Sequence, residues 1–83
     1  MEKNKKMIKI DLLNKFREME ELTDPVLPRV WLRKDYIGGL NNHERKMFDL
    51  AVNELASSGL VEYTPGGFPA VKLTSKGENL IFS

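Results

Sequence analysis

The chain has 83 residues, of which 41% are hydrophobic and 30% are charged, and its formal net charge is +1. A chain of this length buries one modest core, and the composition is that of a folded globular domain rather than of a disordered chain. With no cysteine and one histidine it lacks the ligands for a disulfide framework, a thiolate metal site or a zinc site, so we expect neither a metal nor a cofactor.

No stretch approaches the roughly 18 consecutive apolar residues that a membrane span requires, and the start MEKNKKMIKID lacks the apolar centre of a signal peptide. We therefore expect a cytoplasmic protein that does not enter a membrane. A net charge of +1 is low for a domain that binds nucleic acid, so the placement of the basic residues matters more than their number.

The first predicted element is a helix over residues 5–22. Its apolar residues recur at helical spacing between charged ones: Met7, Ile8, Leu12, Leu13, Phe16, Met19 and Leu22. The helix should end before Pro25, because proline lacks an N–H and restricts the residue that precedes it. The lysines at its start, Lys3, Lys5 and Lys6, are either a solvated helix start or an arm that contacts phosphates.

Residues 23–29 are expected to be a connector. Pro25 and Pro28 lie three positions apart, and neither can donate to a sheet or to a helix interior.

The clearest pattern in the chain predicts a long helix that begins after Asn41 and stops at Gly59. Asn41 and Glu44 have the spacing of a capping box, in which each side chain accepts a hydrogen bond from the other residue's backbone. The core stripe of this helix consists of Met47, Phe48, Ala51, Val52 and Leu55. Gly59 can adopt a positive φ, and Leu60 then lies where a Schellman motif turns it back onto the helix.

The next elements are two short alternating runs, VEY and AVKL, around the turn TPGGFP, which together predict a β-hairpin. An even register pairs Val61 with Leu73, Glu62 with Lys72 and Tyr63 with Val71, and leaves a loop of residues 65–69. The final predicted element is a helix over residues 74–83, capped by Thr74 or by Ser75. Its apolar residues, Leu80, Ile81 and Phe82, are expected to join the core.

The run ELASSGLVEY, the turn Gly66-Gly67 and the run VKLTSKGENLI resemble the last long helix, the wing and the closing helix of the winged helix-turn-helix superfamily. The resemblance covers residues 41–81, about half of the chain. It implies an α+β fold, mainly α, with three to four helices and a β-hairpin wing in one domain of residues 1–83. The implied parts are a long first helix (1–22), a connector (23–29), a helix-turn-helix (30–58), a wing (60–73) and a closing helix (74–83).

The resemblance also assigns the residues between the connector and the long helix. Residues 30–32 would be a very short strand that pairs with the edge of the wing, and residues 33–37 a short second helix. Leu40 would anchor the exit turn that follows. Trp31 is either a packing residue or an exposed aromatic for a partner, and we favour packing.

Winged helices include both DNA readers and protein-interaction modules, so function must be argued from the surface. The exposed arc of the long helix, opposite its core stripe, carries Asn42, His43, Lys46, Asp49, Leu50 and Asn53. Asparagine can read adenine, lysine can contact guanine or phosphate, and histidine can donate to either. Five basic residues could add phosphate contacts around the turn: Arg29, Arg33, Lys34, Arg45 and Lys46. A polar face is, however, also what any solvated helix presents.

The wing tip departs from the pattern of DNA-binding wings, since residues 64–69 contain no Arg or Lys. Lys72 remains for phosphate contact. Phe68 either folds over the hairpin or inserts into a partner, and Leu50 either packs on the second helix or marks a protein contact.

We expect a transcriptional regulator that binds double-stranded DNA sequence-specifically. We also expect it to act as a homodimer, because the first helix has more apolar residues than a small core can absorb. The alternative is a winged-helix protein-protein interaction module without DNA binding. This alternative is favoured by the near-neutral charge, by the uncharged wing and by the candidate exposed residues Leu50, Phe68 and Trp31. We do not expect an enzyme. The only histidine has no identifiable nucleophile or orienting partner, and the Pro-Gly-Gly turn lacks the sequence of a phosphate loop.

Overall fold

The computed structural model describes residues 2–19, 25–67 and 69–82. These residues form an α+β structure that is mainly helical, as predicted. In chain order they form α1 (Lys5–Met19), a π-helix (Trp31–Tyr36), a 3-10 helix (Ile37–Gly39), α2 (Asn42–Ser57), β1 (Val61–Thr64), β2 (Ala70–Leu73) and α3 (Ser75–Phe82).

The α1 helix contributes one side to the core. Ile8, Leu12 and Phe16 are fully buried, since residues four apart project from the same side of a helix. Two further apolar residues remain outside the core: Met7 is 39% exposed and Ile10 is 48% exposed. The predicted end of this helix at residue 22, together with Leu22, lies outside the described residues.

The prediction of a strand at residues 30–32 is wrong. The chain is already helical at Arg29, and the N–H of Leu32 donates to the carbonyl of Pro28 at 2.9 Å. Proline is well suited to a helix start, because its fixed φ is already helical and its missing N–H would have had no partner there. The second helix is therefore longer at its beginning than the predicted residues 33–37.

The hairpin edge is paired instead by residues 25–27, which were expected to be only a connector. An antiparallel bridge joins Val26 to Lys72. The flanking backbone hydrogen bonds run from Leu27 N–H to the Val71 carbonyl (3.0 Å) and from Leu73 N–H to the Pro25 carbonyl (2.9 Å). A proline cannot donate but can accept, so a segment with proline at its end can still serve as an edge strand.

The α2 helix begins and ends as predicted. Glu44 N–H donates to Asn41 Oδ1 at 2.8 Å, and Asn41 N–H donates to Glu44 Oε1 at 3.0 Å, which completes the capping box. Gly59 has φ 78°, and Leu60 N–H donates to the Leu55 carbonyl at 3.0 Å, as in a Schellman motif. The predicted core stripe is buried at Phe48, Ala51, Val52 and Leu55 and half-buried at Met47.

The hairpin has the predicted register: Val61 pairs with Leu73, Glu62 with Lys72, Tyr63 with Val71 and Thr64 with Ala70. In α3, Thr74 rather than Ser75 is the cap, because Gly77 N–H donates to Thr74 Oγ1 at 3.1 Å. The prediction that Leu80 joins the core is wrong, since Leu80 is 57% exposed. Gly77 and Ile81, four residues apart, define the buried side of α3, and Leu80 lies about 100° away from Ile81.

The core joins all these elements. Leu27, Leu32 and Leu40 are buried together with the residues of α1, α2 and the hairpin, so Leu40 anchors its turn as predicted. Trp31 is half-buried and packs against this core. The centroid of its ring lies 5.3 Å from the ring centroid of Tyr36 and 4.8 Å from Lys15 Nζ. The interpretation of Trp31 as a packing residue is confirmed.

Candidate nucleic-acid interface

The six residues of the exposed arc lie together on the outer side of α2. Asn42, His43, Lys46, Asp49, Leu50 and Asn53 are all exposed. The described chain therefore leaves this side of the helix open, because the core stripe turns the opposite side inward. Leu50 keeps 50% of its surface exposed, so it is not buried against the preceding helical segment.

The N-terminal end of the arc is bordered by the start of the chain. Asn41 Nδ2 donates to Glu2 Oε1 at 3.0 Å, and His43 Nε2 lies 3.9 Å from Glu2 Oε2. Lys3 N–H donates to Glu44 Oε2 at 2.7 Å. The hydrogen bonds from the backbone of Lys3 and of Asn41 lower the pKa of Glu44, so a carboxylate stays at the first turn of α2, where the helix dipole favours it.

The long side of the arc is bordered by α1. Lys5 and Lys9 both pair with Glu54. Both contacts lower the pKa of Glu54, and the contact with Lys5 has the larger effect. Lys3 Nζ lies 2.8 Å from Asp11 Oδ2. Lys6 is exposed, whereas Lys3 and Lys5 are partly exposed and held in ion pairs. They bind carboxylates of the chain itself, and the acid Glu54 beside the arc is neutralised.

Two of the predicted basic residues meet in one cleft. Arg33 and Arg45 line a space of about 380 Å³. This space lies between α2, the hairpin tip and the π- and 3-10 helices of residues 31–39, which we call the short helical segment. Asp49 and Tyr63 line the same cleft. Burial, and then the nearby charge of Asp49, raise the pKa of Tyr63, so its hydroxyl stays protonated at neutral pH.

The other predicted basic residues lie elsewhere on the surface. Lys34 and Lys46 are exposed and do not line the cleft. Lys72 projects from the outer face of the hairpin, opposite the face of Tyr63, and lines a separate polar depression with Glu62 and Glu78. The structure thus brings Arg33 and Arg45 together and places Lys72 on another face. Phe68, the predicted wing-tip contact, lies outside the described residues.

Several contacts at this surface were not predicted from the sequence. Glu2 reaches Asn41 across 39 positions, Lys9 reaches Glu54 across 45, and Tyr36 Oη donates to Asp11 Oδ2 at 2.7 Å across 25. Burial and the carboxylate of Asp11 raise the pKa of Tyr36. No local spacing identifies such pairs, because the two partners lie in distant parts of the chain that only the packing of the core brings together.

Within the described residues, no group of three or more His, Asp or Glu side chains is arranged to hold a metal ion. The same residues include no helix long and apolar enough to cross a membrane. No family model, curated protein or solved structure matches the chain.

Proposed function

We propose that the protein is a winged helix-turn-helix domain that binds double-stranded DNA sequence-specifically and regulates transcription as a homodimer. The observation that carries the proposal is the exposed arc of α2, a polar face left uncovered on a helix that is capped at both ends. In this assignment α2 is the recognition helix, the hairpin is the wing, and residues 25–27 supply the small third strand.

The arc supplies suitable groups for base edges in a major groove. Asn42 and Asn53 can each hydrogen-bond adenine through two atoms, and Lys46 can reach the acceptors of guanine. His43, in the first turn, can donate to a base or to a phosphate. A helix that enters the groove places its N-terminal residues closest to the bases, which fits the position of Asn42 and His43.

Phosphate contacts are assigned to Arg33, Lys34 and Arg45 around the arc and to Lys72 on the outer face of the hairpin. The wing tip adds none from its described residues, so its contribution would come from the close approach that Gly66 and Gly67 permit. With few cations in each chain, a homodimer doubles the number of contacts. The exposed Met7 and Ile10 on α1 are our candidates for the dimer contact.

The test is a fluorescence-anisotropy titration on duplexes selected from a random library. With about four phosphate contacts in each chain, and so about eight in the dimer, the dissociation constant should rise on the order of 10⁴-fold between about 50 and about 200 mM salt. Lys46→Ala and Asn53→Ala each remove a contact to a base, so each should weaken the selected sequence by about 1–3 kcal/mol and relax specificity at one position.

Lys76→Ala and Asn79→Ala are the matched controls, because both side chains are exposed on α3 and lie outside the arc. They should leave DNA affinity unchanged. A wild-type protein that binds no duplex at micromolar concentration in low salt would refute the proposal, as would arc variants that bind as well as the controls.

A second candidate is a protein-interaction module, and Leu50 is the observation that favours it. This side chain is 50% exposed in the middle of the arc, on a chain with a net charge of only +1. In that case Leu50→Ser should abolish binding to a partner protein identified by crosslinking and leave DNA affinity unchanged. Leu80→Ser, which alters a comparably exposed leucine on α3, is the control.

A further inference from the structure

The cleft between the short helical segment, α2 and the hairpin tip has the size of a small-molecule site. Its volume of about 380 Å³ falls within the range of roughly 300–1,000 Å³ that is usual for ligand pockets. Its apolar lining comes from Phe48 and Pro69, which are buried, and from Ile37 and Tyr63, which are half-buried. The rings of Phe48 and Tyr63 meet edge to face, 6.4 Å apart, so the lining includes a rigid aromatic pair.

The charged groups of the cleft specify the polarity of a ligand. Arg33 and Arg45 bring two guanidinium groups and Asp49 one carboxylate, which leaves a lining charge of +1. Arg45 forms no ion pair with another residue of the described chain, and guanidinium groups bind planar carboxylates through two parallel hydrogen bonds. Asp49 accepts hydrogen bonds and therefore favours a ligand that also has a donor.

Two glycines contribute to the rim of the cleft among the described residues of the hairpin tip. Gly66 and Gly67 line the cleft, and a Cβ atom added at either position would meet no atom within 4 Å. Neither residue puts a side chain into the entrance, so a flat molecule can enter beside the backbone.

We propose that this cleft binds a small aromatic carboxylic acid that carries a hydroxyl group. The carboxylate lies between Arg33 and Arg45, the ring packs on Phe48 and Tyr63, and the hydroxyl donates to Asp49. A phosphodiester of nucleic acid can pair with Arg33 and Arg45, as the proposed function assigns, but it matches the rest of the cleft less well, because it has neither an apolar body for the aromatic pair nor a donor for Asp49.

The probe for a first test is 4-hydroxyphenylacetate, titrated into uniformly 15N-labelled protein and followed by amide shifts. We expect saturable shifts at Gly38, Asp49, Gly66 and Gly67, with a dissociation constant on the order of 1 mM, which is usual for a ligand of this size. Phenylacetate, which lacks the donor, and 4-hydroxyphenylacetamide, which lacks the charge, should each bind at least about fivefold more weakly.

Arg45→Gln should weaken the probe at least about tenfold, and Asp49→Asn should remove the preference for 4-hydroxyphenylacetate over phenylacetate. Arg17→Gln, a change of the same type on the outer side of α1, should bind the probe as the wild type does. Unchanged amide dispersion verifies that each variant is folded.

The proposal is overturned if the probe causes no saturable shift at about 10 mM. It is equally overturned if the amide binds as well as the acid, if Arg45→Gln retains full affinity, or if diethyl phosphate binds the cleft more tightly than the aromatic acid. The last result would assign the cleft to a nucleic-acid backbone. None of these titrations contains DNA, so their outcome is independent of the proposed function.

Discussion

Gly77 lies at the closest contact between α3 and the rest of the molecule. A Cβ atom at this position would overlap the backbone carbonyl of Leu60 and the Cδ1 atom of Leu73. The carbonyl is fixed by its own hydrogen bond, since it accepts from Thr74 N–H at 3.0 Å. The helix can therefore pack here only because residue 77 has no side chain.

We predict that Gly77→Ala destabilises the protein in spite of its better helix propensity. Alanine gains about 1 kcal/mol over glycine inside a helix, but the overlap with backbone should outweigh this and leave a net loss of about 1–3 kcal/mol. Urea unfolding measures the difference. Gly39→Ala is the control, because a Cβ there meets no atom within 4 Å. Equal or greater stability of Gly77→Ala would contradict the packing described.

Glu44 links the start of the chain to the start of α2, and its pKa is lowered from the usual 4.5, chiefly by the N–H of Lys3. The folded state therefore binds this proton less readily than the unfolded state does. The resulting stabilisation is fully present above pH 4.5 and is lost as the pH falls towards the lower, folded pKa.

We predict that Glu44→Gln lowers the free energy of unfolding at neutral pH and reduces its dependence on pH as the pH falls below 4.5. Chemical unfolding at a series of pH values is the measurement. Glu18→Gln, which removes an exposed carboxyl group from α1, is the control for the loss of one charge. If both variants flatten the acid side of the profile equally, Glu44 has no special role in acid stability.

At the scale of the elements, Thr74 joins the end of α2 to the beginning of α3. Its Oγ1 donates to the Gly59 carbonyl at 2.5 Å and accepts from Gly77 N–H at 3.1 Å, and its N–H donates to the Leu60 carbonyl. One residue thus satisfies a carbonyl left by one helix and an N–H of the next.

We predict that Thr74→Ala costs about 1–2 kcal/mol, since it removes a helix cap and a second hydrogen bond together. Thr74→Ser keeps the hydroxyl and should retain most of the stability. Thermal and urea unfolding of the two variants measure the effect. A serine variant as unstable as the alanine variant would assign the stabilisation to the methyl group instead.

The elements also differ in how far they could be predicted. The ends of α2 and the register of the hairpin are set by neighbouring residues: a capping box, a glycine stop and an alternating pattern around a turn. The segment that pairs with the hairpin edge is not set in this way. Residues 30–32 have strand-forming side chains, but Pro28 starts a helix just before them, and the hairpin edge pairs with residues 25–27.

At the scale of the whole molecule, the outer side of α1 leaves apolar surface exposed. Ile8, Leu12 and Phe16 fill the core, whereas Met7 and Ile10 remain 39% and 48% exposed. Met7 belongs to the apolar residues on which the prediction of a dimer rested, whereas Ile10 was not among them. Two exposed apolar side chains close together on one helix are suited to a symmetric contact with another α1.

We predict that light scattering shows the wild-type protein to be a dimer. Ile10→Glu should convert it to a monomer, because the symmetric contact would bury two copies of the new carboxylate against each other. The circular dichroism spectrum of this variant should be unchanged. Leu80→Glu places the same charge on α3 and should leave the dimer intact. A monomeric wild type at high concentration, or a dimeric Ile10→Glu variant, would remove α1 from the dimer contact.

The sequence by itself determined the features that depend on near neighbours: the mainly helical α+β class, both ends of α2 and the pairing of the hairpin. Only the tertiary structure decided which segment pairs with β2, which acids Lys3, Lys5 and Lys9 bind, and that Arg33 and Arg45 line one cleft. Caps, turns and alternation act over a few residues, where the chain's own geometry limits the choices. Pairs that lie tens of residues apart depend on how helices pack, and that packing is a property of the whole core.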